Sequence, residues 1–310
     1  MTQKKEKEPI LEVKDLSICF RMYERGLVQQ ELKVISNLNL EINSGEIIAV
    51  VGSSGSGKSL LAHAILGILP GNSSCSGSMK YCGQELTARM QRKFRGKKIA
   101  LVPQSVGYLD PMMRVGKQVR GIYGTQKQQE EVFRRFNLVP ETAQKYPFQL
   151  SGGMARRVMV STAVMTDANL IIADEPTPGL NQEVAEETMR YFREIADAGN
   201  AVMLITHDID LALSVADKIA VFYAGTTIEI APVHDFIAGK ENLRHPYTKA
   251  LWEALPQNEF VPISGLQPYA GSFISGCPFA PRCKERTKEC SGTVEMRELR
   301  GGEVRCKHAT

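Results

Sequence analysis

One stretch constrains this chain more than any other: Gly52-Ser53-Ser54-Gly55-Ser56-Gly57-Lys58-Ser59, set between the apolar run Ile47 to Val51 and the apolar stretch Leu60 to Leu69. A strand that turns through glycines into a helix start lets consecutive backbone N–H groups curl around phosphates, and the helix N-terminus adds its positive dipole end. A strand of this kind is buried and parallel, so the pattern predicts an α/β core that binds a nucleoside triphosphate. Lys58 is placed to bridge the terminal phosphates, and the Ser59 hydroxyl to coordinate Mg²⁺.

Further short apolar runs, Ile99 to Val102, Leu170 to Ala173 and Ala201 to Ile205, have the length and composition of neighbouring buried strands. The third of the four ends in Asp174-Glu175, two acids at the strand end where open α/β sheets bind ligands. Asp174 suits the Mg²⁺ shell and Glu175 suits polarising an attacking water. Upstream, Ile10 to Phe20 and Leu38 to Ile42 alternate as half-buried antiparallel strands do. Gln182 to Ala198 repeats Val184, Met189, Phe192 and Ile195 at roughly helical spacing, with Gly199 to end it. Ser105 to Tyr146 is polar and helix-prone, which predicts a small inserted helical subdomain, and after Pro232 closely spaced prolines predict a loop-rich region.

Charge and apolar content narrow the function classes. With 38 basic against 34 acidic residues the balance is too mild to indicate nucleic acid, and the apolar runs fall far short of the roughly 20 residues that span a bilayer. The charged start, Met1 to Pro9, has no apolar segment behind it, so an intracellular location is expected. Four of the seven cysteines, Cys277, Cys283, Cys290 and Cys306, crowd the tail among Gly276, Pro278 and Pro281. Four converging thiolates would crosslink such irregular chain. Zinc sites usually begin with closer pairs, and a [4Fe–4S] cluster also takes four cysteines, although this spacing matches neither common ferredoxin pattern.

Leu150-Ser151-Gly152-Gly153-Met154 closely resembles the LSGGQ signature of ABC ATPases, with Met154 in place of glutamine. The resemblance implies an α/β nucleotide-binding domain with a RecA-like P-loop core, an antiparallel β subdomain and a helical subdomain at about 105–165. It implies that Ser151, Gly152 and Gly153 cap ATP on a second cassette. Gln104 then looks like the glutamine that senses Mg²⁺ and the water, and His207 like the histidine that contacts the γ-phosphate and positions Glu175. Tyr23, in preference to Phe20, is the expected adenine-stacking aromatic.

Leu109 to Gly116, and above all His245-Pro246-Tyr247-Thr248-Lys249-Ala250-Leu251, resemble segments of the ATPases of dipeptide, oligopeptide and nickel importers. That subfamily implies a cassette over residues 1–235 and a C-terminal region over 236–310 whose cysteines hold a [4Fe–4S] cluster, with zinc as the alternative. It also implies two unlike ATPases beneath two permease subunits on the cytoplasmic face of the membrane, fed by an extracytoplasmic binding protein. Pro178-Gly179-Leu180-Asn181 departs from the usual A-L-D, which leaves communication across the ATPase pair open. An ABC protein acting on nucleic acid is disfavoured by the single cassette and mild basicity; a GTPase is disfavoured by the absence of N-K-x-D.

Overall fold

The computed structural model describes residues 9–25, 28–122, 124–269 and 275–310. The first strands in chain order are β1 (Pro9–Arg25), β2 (Val28–Asn43), β3 (Ile47–Gly52), β4 (Ser73–Tyr81), β5 (Gln84–Glu85) and β6 (Ile99–Val102). Then come β7 (Leu170–Asp174), β8 (Ala201–Ile205), β9 (Lys218–Tyr223), β10 (Thr226–Pro232), β11 (Arg297–Leu299) and β12 (Gly302–Val304).

They form an antiparallel sheet of order β2-β1-β4-β5 and a larger sheet of order β11-β12-β10-β9-β3-β8-β7-β6. In the larger one, β9, β3, β8, β7 and β6 run parallel. Ile47 to Val51 and Ala201 to Ile205 are buried throughout, which is why these strands read as unbroken apolar runs rather than alternations. The small sheet alternates: along β2, Ile35, Leu38, Leu40 and Ile42 are buried with exposed or half-exposed residues between them.

Helices cover the large sheet. α1 (Lys58–Leu66) follows the phosphate loop, and α2 (Ala88–Phe94) lies against it, Gln91 donating to the Ala64 carbonyl at 2.8 Å. An inserted group comprises α3 (Val115–Arg120), α4 (Gln126–Arg135) and α5 (Gly152–Val164). Val115, Val119, Phe133, Phe136, Val158 and Met159 join it to the main core. α6 (Gln182–Asp197) buries Val184, Thr188, Met189, Phe192 and Ala196, a stripe at three- and four-residue spacing. Asn181 caps it, accepting from the Val184 N–H at 3.1 Å. The position that lacks the usual carboxylate therefore keeps its local structural work, since Asn caps as well as Asp does. α7 (Ile209–Val215) follows β8. No described helix is long and apolar enough to cross a membrane.

The tail adds α8 (Val233–Ala238), α9 (Pro246–Glu253) and the hairpin β11-β12. That hairpin pairs β12 with β10 and so lengthens the cassette's own sheet. Arg244 fastens it: this buried guanidinium reaches Glu229, Asp235 at 2.8 Å, and the Leu299 and Arg300 carbonyls, both at 2.6 Å. Arg305 donates to the Asn37 carbonyl at 2.7 Å, tying the far end of the chain to the β1-β2 hairpin. Cys277, Phe279, Ala280, Cys290 and Val294 belong to the main core. Irregular chain is thus held by arginines aimed at carbonyls and by burial against the cassette.

Candidate functional site

The phosphate loop leaves the end of β3 with Gly52 at φ 151°. A Cβ there would sit 2.3 Å from the Phe222 carbonyl oxygen of the neighbouring strand, so only glycine permits this turn. Gly57, at φ 95°, closes the loop as the N-cap of α1. Lys58 folds back over the loop and donates to the Gly52 and Ser53 carbonyls at 2.8 and 3.0 Å. Burial lowers its pKa, while Glu175 and Asp174 act the other way. The loop opens on a cleft of about 660 Å³ that Gln104, Glu175, Pro178, Ile205 and His207 also line.

Across the cleft, β7 ends in buried Asp174 and Glu175. Burial raises the Asp174 pKa, opposed chiefly by a hydrogen bond from Ser59. Asp174 Oδ1 is buried without a hydrogen-bond partner. An unpartnered carboxylate oxygen beside a hydroxyl at the foot of a phosphate loop is the oxygen donor set a Mg²⁺ ion takes when it also binds substrate phosphates. Glu175 has φ 48°, a conformation uncommon outside glycine, which turns its side chain away from the strand direction. His207 Nδ1 lies 2.8 Å from Glu175 Oε2, with the histidine largely exposed and the carboxylate largely buried.

Two cleft residues escape a motif reading. Val34 lines the wall from β2. Arg156, buried in α5, donates to the Pro103 carbonyl at 3.2 Å, beside Gln104, and lies close enough to Glu175 and Asp174 to feel both charges. Neither stands in a recognisable spacing; a buried arginine one turn past a glycine-rich helix start is the only signal for the second.

Of the remaining expected site residues, Ser151 caps α5, accepting from the Met154 N–H at 3.3 Å, and Gly152 and Gly153 open that helix. These three do not line the chain's own cleft. Tyr23 is exposed on β1, accepting from Gln29 at 3.0 Å, and does not line the cleft; Phe20 packs against the core of the small sheet.

All four tail cysteines are free thiols, Cys277, Cys290 and Cys306 buried and Cys283 half-buried. Burial pushes the Cys277 thiol up to about 11, with Cys306 and Cys290 adding to it, and raises Cys283 and Cys306 in the same way. The four are therefore neighbours. Even so, the described residues contain no group of three or more His, Cys, Asp or Glu that could hold a metal ion. As it stands, the arrangement does not fit a metal or cluster, because the thiols are shared between the main core and a satellite cluster of Val304, Cys306 and Ala309.

What this fold and cleft define is an ABC-type ATPase cassette, its phosphate loop facing one acid-ended strand and its second glycine-rich helix start turned to another molecule. Residues 35–178 match the ABC transporter family, and residues 228–290 match the oligopeptide/dipeptide transporter C-terminal region. The oligopeptide transport ATP-binding protein OppD of Escherichia coli K12 is 32% identical over 96% of this chain and 92% of its own length. Its Lactococcus lactis subsp. cremoris counterpart is 36% identical over 83% and 78%. The dimeric structure of a bacterial ABC transporter cassette superposes with a TM-score of 0.63 at 25% identity, over 72% of this chain and 98% of that one. The chain belongs to the oligopeptide transport ATP-binding proteins of the ABC transporter family.

Proposed function

We propose that this chain binds and hydrolyses ATP as one subunit of an ABC importer and so drives uptake of di- or oligopeptides through a separate membrane permease. The observation that carries the chemistry is the 2.8 Å contact between His207 and Glu175 at the mouth of the phosphate-loop cleft. In this reading the N–H groups of residues 52–59 and the Lys58 ammonium hold the β- and γ-phosphates. Ser59, Asp174 and Gln104 would hold Mg²⁺, which when bound neutralises charge developing on the phosphoryl oxygens. Glu175 orients the attacking water and takes its proton, and His207 fixes the Glu175 carboxylate while reaching toward the γ-phosphate. Arg156 adds a fixed positive charge behind both acids and links α5 to the Gln104 loop.

Ser151, Gly152 and Gly153 act on a partner's nucleotide, a reading supported by their position outside this chain's own cleft. The partner is a second, non-identical ATPase, since Asn181 makes the two halves unequal. Together they sit on the cytoplasmic face of the membrane under two permease subunits, with a peptide-binding protein on the far side. Residues 1–235 form the cassette, with the helical subdomain at about 105–165, and residues 236–310 the C-terminal region. Peptide is favoured over nickel by the names of the relatives. For the tail, the proposal is that the four thiols gather on a [4Fe–4S] cluster rather than zinc; their proximity supports it, and their side chains must swing together to do so.

Co-expressing the chain with its permease and second ATPase, then assaying hydrolysis in vesicles, tests the function. Stimulation by binding protein loaded with peptide is expected. Stimulation only by a nickel-loaded protein moves the substrate, and none by either removes the transport reading.

A further inference from the structure

The motif His245-Pro246-Tyr247 marks the tail, yet the fold brings it against the phosphate loop. Pro246 opens α9 and His245 caps it, Nδ1 accepting from the Tyr247 N–H at 3.0 Å. That cap sets the direction of Tyr247, which is 3% exposed. Its ring packs between Tyr223, centroids 4.5 Å apart, and Phe279, 5.3 Å apart. The phenol ends at Ser53, whose hydroxyl and backbone N–H both reach it.

A second contact comes from the same side. The Ser53 hydroxyl donates to Gln267 Oε1. Gln267 is positioned by Arg282, which donates to the Ser264 and Ile263 carbonyls at 2.7 and 3.0 Å and to the Tyr223 hydroxyl at 3.1 Å. Gly52, Ser53, Tyr247 and Gln267 line one hollow of about 340 Å³ behind the loop. Ser53 is the second residue of that loop, and its carbonyl is one of the two that receive Lys58.

A loop that cradles phosphates must aim its later N–H groups inward, so the Ser53 N–H, turned outward, needs a partner elsewhere. We propose that Tyr247 is a positioning residue for ATP binding: with Gln267 it clamps Ser53 from the tail side and holds the phosphate loop in the curve that receives the triphosphate. The tail motif is then part of the nucleotide site's support, not only its neighbour. Removing the phenol hydroxyl alone keeps the aromatic packing and frees Ser53.

The proposal rests on the ATPase reading of that loop, and the test separates the two. ATP affinity of the full-length chain is measured by fluorescence titration for wild type, Lys58→Ala, Tyr247→Phe and Gln267→Ala, alongside melting without nucleotide. Tyr247→Phe should weaken ATP binding about three- to tenfold, the effect of one hydrogen bond. Gln267→Ala should shift binding in the same direction, while melting without nucleotide stays at the wild-type value for both. In the assembled transporter KM for ATP should rise by the same factor with kcat unchanged. Wild-type binding that Lys58→Ala abolishes, with Tyr247→Phe and Gln267→Ala both at wild-type affinity, overturns the proposal and leaves the ATPase reading standing. A lowered melting temperature with unchanged affinity likewise overturns it, because Tyr247 would then be packing alone. No ATP binding by wild type overturns both.

Discussion

Acid should loosen the tail's attachment through a single imidazole. His245 is 1% exposed, its Nδ1 occupied by the Tyr247 N–H and its Nε2 facing Cys277 Sγ at 3.9 Å. Burial lowers its pKa from 6.5 to about 3. A histidine whose folded pKa lies below its unfolded value contributes stability that is complete above the unfolded pKa and is lost as pH falls. The window therefore opens at 6.5 and closes near 3. At about pH 5, some 1.5 pH units into it, the loss is roughly 2 kcal/mol at ~1.36 kcal/mol per unit. Glu229 beside it runs the opposite way: burial raises its pKa, so its contribution is full below 4.5 and declines as pH rises through the folded value. Comparing two proteins that both keep Glu229 cancels that term. His245→Asn is the right partner, because an Asn side chain can still cap α9 while carrying no titration, and its packing loss does not vary with pH. Urea unfolding of both proteins between about pH 7.5 and about pH 5 should show wild type losing roughly 2 kcal/mol more than the variant. Parallel curves would refute the argument.

Arg244→Leu should cost about 3–5 kcal/mol by stranding the Glu229 and Asp235 carboxylates in the interior. Thermal melting checks this, and adding Glu229→Gln should restore part of the loss. Chain purified without oxygen should be brown with about four irons per chain and lose its colour in Cys283→Ser. Colourless protein with one zinc would move the tail to a zinc site, and metal-free protein with a folded tail would remove both readings.

Much of the core was legible because its strands are buried on both faces. Ile99 to Val102 and Ala201 to Ile205 appear as strands with the expected bounds, and the third run gains only Asp174. Helix α6 ends one residue short of expectation. The phosphate loop, both acids, Gln104 and His207 meet at one cleft, since each stands at a strand end on the same edge. Other features depend on contacts far apart in sequence. The β1-β2 hairpin extends beyond its alternating parts because residues 28–34 are mostly exposed and carry no apolar period. The sheet-lengthening hairpin of β11 and β12 has strands of three residues each, too short for a pattern. Arg244 and Arg305 look like surface charges until their carbonyl partners, 55 and 268 residues away, are brought beside them. Tyr23 shows the converse: an aromatic at a plausible distance before the phosphate loop lies on the exposed part of β1, while Val34 lines the cleft.

The central claim is that Glu175 activates the water that cleaves ATP. Steady-state hydrolysis by the assembled transporter carrying Glu175→Gln tests it most directly, with ATP binding measured on the same preparation. Binding should persist while turnover falls at least about 10²-fold, as expected for loss of a general base. Near-normal turnover would contradict the account.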